Sequence, residues 1–273
     1  MNPSVPVTIE MVLNALELRP MLHARFLNTL SLLEYIGARK IFKSQAESSI
    51  NASLLAHAAE EIHHAQTFKK LALKLSQGKL TSYSEDHLLC GREAKEYFQC
   101  LDYGVHAEVE TDSWMNYLYT TLLIEERANQ VYPLYEPILA RAGFAGILKS
   151  IVKEEASHMQ DILKHLQEQT WSITPASQLS HPLSPASLPV VLPTEDSLKS
   201  DTRLMELRML EAAAFEKFTQ ALHEEIHRLE PTVLTRDPAA STSTQQPPGL
   251  MTQVNPEGQK HSISNTASVS EEA

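Results

Sequence analysis

Two stretches of this chain, Glu60-Glu61-Ile62-His63-His64 and Glu154-Glu155-Ala156-Ser157-His158, space a carboxylate and an imidazole in the same way. In each, a glutamate and a histidine stand three residues apart, which on an α-helix puts both on one face. Glu61 with His64, and Glu155 with His158, therefore make two like half-sites of one oxygen and one nitrogen donor. A further glutamate lies upstream of each, in an apolar run where a carboxylate needs a reason. Glu34 sits in Leu32-Leu33-Glu34-Tyr35-Ile36-Gly37, and Glu125 in Leu122-Leu123-Ile124-Glu125-Glu126. Four helices turning these groups inward would gather four carboxylates and two imidazoles. Burying such a set without counter-charge is very costly, and two divalent cations remove most of that cost. Hard oxygen donors with one imidazole per ion suit two iron ions first and manganese second.

On these residues the chain resembles the ferritin-like superfamily of carboxylate-bridged di-iron proteins, over roughly Pro20 to Gln169. The resemblance implies an antiparallel four-helix bundle with a long crossover between its second and third helices. It also implies that Glu34 and Glu125 are terminal ligands, that Glu61 and Glu155 bridge, and that His64 and His158 each hold one iron. Neighbouring residues on a helix point about 100° apart. Glu60 and Glu154 thus fall off the donor stripe, and Glu60→Ala and Glu154→Ala are expected to keep both metals. Glu125 is preferred to Glu126 because it shares a stripe with Leu118, Leu122 and Tyr132. His57, one turn before Glu61, is expected near the donors, as are Asn129 and Tyr132.

The rest of the sequence sets the frame. With 42% hydrophobic residues in 273, the chain can bury one substantial core. Eight glycines and long runs of Ala, Leu, Glu and Lys lean all-α. A net charge of −11 argues against nucleic acid as a partner, and no run reaches the length of a membrane span. The start of the chain shows no basic segment followed by an apolar one, so no secretory signal is expected. Cys90 and Cys100, ten residues apart on one helix, would be about 15 Å apart, too far for a disulfide. Reduced thiols fit a cytoplasmic protein.

Along the chain, residues 1–171 read as the bundle with a short lead-in helix over Thr8 to Leu18. The bundle helices are expected over Met21 to Phe42, Asn51 to Ser76 (with Gly78 at C′), Ala107 to Tyr132, and from Gly143–Gly146 to Gln169. Pro133 and Pro137 should end the third. The crossover should hold a short helix over Arg92 to Leu101. Residues 172–196 read as a Pro/Ser-rich linker, 197–230 as an amphipathic helix, and 231–273 as a disordered tail. The amphipathic helix could dock on the bundle, pair with another copy in a homo-oligomer, or meet a partner. Its Glu224 and His227 repeat the spacing without a matching half-site, so a solvated turn is the better reading.

Leu, Ile, Gly, Ala and Tyr around Glu34 and Glu125 suit O₂ and an apolar substrate better than bulk mineral. The expected function is an O₂-activating di-iron oxidoreductase, an oxygenase or oxidase acting on a small organic molecule. No Cys-x-x-Cys pair is present, so electrons should come from a separate donor. The alternative is an iron-storing or peroxide-detoxifying protein without an organic substrate, and a metal-free structural relative comes last.

Overall fold

The computed structural model describes residues 6–45, 50–109, 112–172 and 202–229, with the side chains of 169–172 excepted. Among these residues it is all-helical, with seven α-helices and no strand. They are α1 (Ile9–Glu17), α2 (Pro20–Ser44), α3 (Ala52–Leu75), α4 (Gly91–Val109), α5 (Ser113–Arg141), α6 (Ile147–Ser172) and α7 (Thr202–Arg228). None is long and apolar enough to cross a membrane. The linker and tail expected at 172–196 and 231–273 lie almost wholly outside the described residues.

Short polar side chains start the helices where the sequence offers them. Thr8 caps α1 by accepting from Met11 N, and Asn51 caps α3 by accepting from Leu54 N. Asp112 accepts from Trp114 N and Met115 N to open α5. The start of α6 is held from a distance: Glu136 accepts from Gly146 N at 2.5 Å and Leu148 N at 3.1 Å. At the end of α3 the left-handed residue is Gln77 (φ 53°), one place before the expected glycine, and Gly78 follows at 81°. Gly78 N donates to Leu73 O and Gln77 N to Lys74 O, which closes the helix as a Schellman turn.

Two expectations fail for physical reasons. First, α5 does not stop at Pro133 but continues through Pro133 and Pro137 to Arg141. Both prolines lie on the exposed side, where water can take up the freed carbonyls. On the other side Tyr132, Tyr135, Ile138 and Leu139 are buried. Four such side chains at roughly 1.5–3 kcal/mol each offset a helix penalty of about 3 kcal/mol per proline. Second, the helix in the crossover reaches Val109 rather than Leu101, and α5 begins at Ser113 rather than Ala107. Gly104 does not break it. A Cβ there would stand 2.4 Å from Leu210 Cδ1, so the glycine is a landing site for α7.

Helices α2 and α3 pack side by side, as do α5 and α6, and α2·α5 and α3·α6 contacts join the two pairs. The C-terminal amphipathic helix takes the first of its possible destinations. α7 lies against α4, α1 and α5, burying Leu204, Leu207, Phe218, Leu222 and Ile226. Glu211 on α7 is buried as well. It receives Arg127 Nε at 2.9 Å, the Arg127 guanidinium a second time at 2.5 Å, and the Tyr97 hydroxyl at 2.7 Å. Cys90 and Cys100 are free thiols.

Candidate metal centre

The helices bring the expected donors together. Donor atoms of Glu34, Glu61, His64 and Glu155 lie within 4.8 Å of one another, and so do those of His57, Glu61, Glu125 and His158. Glu61 belongs to both groups. Glu155 also faces both, with Oε1 3.1 Å from His64 Nδ1 and Oε2 3.5 Å from His158 Nδ1. The helical stripe that makes α3 amphipathic puts His57, Glu61 and His64 on its buried side. Glu125 is 2% exposed within α5, whereas its neighbour Glu126 turns away to pair with Arg208 of α7. These buried His and Glu groups can bind a metal ion.

Four donor atoms in this cluster are enclosed yet have no hydrogen-bond partner: His64 Nδ1, His158 Nδ1, Glu125 Oε2 and Glu155 Oε2. Buried polar atoms are almost always paired. Four unpaired ones converge here from three helices, and carboxylate oxygen with imidazole nitrogen is a donor set that a metal ion can use.

The other ring nitrogens are tied down, by residues the sequence reading set aside. His64 Nε2 donates to Glu154 at 2.7 Å, and His158 Nε2 donates to Glu60 at 2.6 Å. The half-exposed carboxylate beside each inward glutamate thus reaches the histidine of the opposite half. Fixing the proton on Nε2 turns the Nδ1 lone pair inward. The 100° turn between neighbours takes Glu60 and Glu154 off the donor stripe and lets each reach the histidine on the adjacent helix. The signal was in the sequence, since both copies read Glu-Glu-x-x-His.

The three groups expected near the donors behave differently. Tyr132 donates to Glu34 at 2.5 Å. His57 places Nε2 3.1 Å from Glu61 Oε1 and 3.4 Å from Glu125 Oε1, with Nδ1 2.7 Å from the Tyr117 hydroxyl. Asn129 turns its amide to the backbone carbonyl of Glu125 at 3.0 Å. Glu224 of α7, which repeats the spacing with His227, is exposed and accepts from Gln220.

Packed together in the interior, these groups shift one another's proton affinity. Burial, with Glu155 facing it, pushes Glu125 up to about 8. Burial and the charges of Glu61 and Glu155 raise Glu34 well above the carboxylate range. Burial would lower the imidazoles, but the carboxylates facing them outweigh it. His57 and His64 rise to about 9, and His158 to about 11. Glu155 is buried too, yet its Glu125, His158 and His64 neighbours hold it well below the usual range. Cation binding must therefore displace protons.

Two cavities flank the cluster. One, of about 110 Å³, is apolar and touches Glu34, Glu61 and Glu125 among Leu33, Val131 and Phe215. Gly37 on its wall leaves space for Glu61, whose Oε2 would stand 3.0 Å from an added Cβ. The other, of about 400 Å³, is polar and is lined by Glu60, Glu154, Asp161 and His165 among others. His57 and Tyr117 line both. No family model, curated protein or solved structure matched the chain.

Proposed function

We propose that α2, α3, α5 and α6 form a ferritin-like four-helix bundle that holds two metal ions, iron by preference and manganese second. On this reading Glu34 and Glu125 are terminal donors, Glu61 and Glu155 lie between the ions, and His64 and His158 each donate through Nδ1. The four orphaned donor atoms carry the reading, because a buried carboxylate and imidazole set of this density needs cationic charge. The donor types, oxygen with imidazole and no thiolate, suit iron and manganese.

The activity that fits is an O₂-dependent oxidation of a small, apolar molecule. A reduced iron pair supplies the electrons that O₂ needs, and the chain supplies the surroundings. Glu60 and Glu154 hold the imidazole protons away from the ions. Tyr132 restrains Glu34, and Gly37 leaves Glu61 room to swing. The mostly aliphatic and aromatic lining of the 110 Å³ cavity gives the carboxylates a largely apolar neighbour. Apolar cavities of about 150 Å³ take up benzene, so this one suits O₂ and a slim or single-ring molecule. A separate protein would return electrons.

The test begins with metal analysis of the full chain after anaerobic iron loading, where close to two ions per chain are expected. Less than a tenth of an ion after reconstitution rejects the centre. The reduced, loaded protein should then consume O₂ and convert a component of cell extract, read by product analysis. O₂ consumption with no organic product would favour iron storage or peroxide removal instead.

A further inference from the structure

We infer that His57 is a seventh metal donor, so that the two metal positions are chemically unequal. One position is offered two imidazoles, from His57 and His158, with the Glu125 carboxylate. The other is offered one imidazole, from His64, with the Glu34 carboxylate. Glu61 and Glu155 stand between them. The inference rests on the di-metal reading above and goes beyond it by assigning a third imidazole and an order of filling.

Three observations carry it. His57 is 6% exposed, it shares a 4.8 Å donor set with Glu61, Glu125 and His158, and its Nε2 lies 3.1 Å from Glu61 Oε1 and 3.4 Å from Glu125 Oε1. Its ring centroid lies 4.1 Å from that of His158, so both imidazoles approach one point from two helices. Second, its far nitrogen is held as a metal-bound histidine requires. The Tyr117 hydroxyl, 2.7 Å from Nδ1, can accept that proton and leave the Nε2 lone pair turned inward. His64 and His158 use the reverse arrangement, with Nε2 tied and Nδ1 inward.

Third, the doubling of the sequence shows that His57 is not a by-product of the repeated pattern. The residue four before Glu61 is His57, and the residue four before Glu155 is Ile151. The residue eight before Glu125 is Tyr117, and the residue eight before Glu34 is Phe26. A hydrogen-bonded His–Tyr pair, one residue from each half of the chain, thus stands where the matching positions bury an isoleucine and a phenylalanine. A buried polar pair needs something in return for its lost hydration. The metal position beside His158 and Glu125 supplies it, and the position beside His64 and Glu34 has no such pair next to it.

The rival is a histidine that only bridges Tyr117 and Glu61. Cobalt(II) titration of the metal-free, full-length protein separates the two, followed by its visible spectrum. The wild type should bind two equivalents in resolved steps, the first at least about tenfold tighter. In His57→Gln the tighter step should weaken about 100-fold or more, while the looser step stays within about threefold. In His64→Gln the looser step should weaken instead. Two unchanged steps in a folded His57→Gln protein overturn the inference and leave the di-metal reading standing. A wild type that binds no cobalt overturns both. If His57→Gln does not fold, pulsed electron paramagnetic resonance of wild type carrying one equivalent of copper(II) counts the bound imidazoles directly. Two are expected, and one overturns the inference.

Discussion

His64 on α3 gives its Nε2 proton to Glu154 on α6 across 2.7 Å. The reciprocal bond, from His158 on α6 to Glu60 on α3, spans 2.6 Å. Each half of the chain therefore sets the ring orientation of the other. Glu60→Ala and Glu154→Ala should each weaken metal retention about 10–100-fold, the usual cost of losing a carboxylate behind a metal-bound histidine. Metal content after dialysis against graded chelator measures it. Full retention in both variants would mean that the ring orientations are fixed by packing alone.

Gly37→Ala should separate stability from metal affinity. Alanine favours a helix by about 1 kcal/mol over glycine, so the metal-free protein should melt no lower than wild type. The new Cβ, however, would stand 3.0 Å from Glu61 Oε2 and push that carboxylate aside. Metal should bind at least several-fold more weakly. A lower melting temperature with unchanged metal content would show that Glu61 yields freely and the backbone does not.

The neighbouring glutamates of α5 should behave oppositely. Glu125→Ala removes an enclosed donor and should strip at least one metal per chain. Glu126→Ala loses only its partly exposed pairing with Arg208, worth roughly 0–1 kcal/mol. Elemental analysis of the two purified variants decides between them.

Glu211→Ala should destabilise the fold by roughly 3 kcal/mol, because Arg127 and Tyr97 lose their shared acceptor in a largely enclosed place. That is the low end for a broken buried pair, since about a fifth of the Arg127 side chain still meets water. Denaturant unfolding of wild type and variant gives the difference. A loss below about 0.5 kcal/mol would mean that α7 is held by its apolar face alone.

His23 gives the chain an acid sensitivity remote from the metal donors. Its ring is buried beside the Tyr135 hydroxyl at 2.6 Å, and burial lowers its pKa from 6.5 to about 4. The unfolded chain thus binds the proton first. The contribution is whole above pH 6.5 and is lost as pH falls toward 4, amounting to roughly 3 kcal/mol. Denaturant unfolding of wild type and His23→Gln at pH 7.5 and pH 4.5 should show a smaller acid loss in the variant. Equal losses would locate the sensitivity elsewhere.

The sequence displayed what is periodic. A glutamate in an apolar stripe, or a Glu-x-x-His on one helical face, is a local pattern, and the structure brings Glu34, Glu61, His64, Glu125, Glu155 and His158 together. What it hid depends on contacts between distant segments. Pro133 and Pro137 read as a helix end because local propensity cannot weigh the burial of Tyr135 on the far side. The helix over Arg92 to Leu101 read as short because Leu210, which packs where Gly104 has no side chain, comes from α7. An amphipathic face at Leu204 to Ile226 announces that something covers it, but only the fold shows that α4, α1 and α5 do. Glu60 and Glu154 were set aside because rotation about one helix says nothing of the histidine on the next.

The wall that His57 and Tyr117 make between the two cavities is a single hydrogen bond thick. The larger space meets Glu60, Glu154 and Asp161, and the smaller is lined mostly by aliphatic and aromatic carbon beside Glu34, Glu61 and Glu125. Protons and ions move where the dielectric is high, and gases and hydrocarbons partition into oil. The cluster thus touches two spaces of different polarity, which suit different classes of molecule.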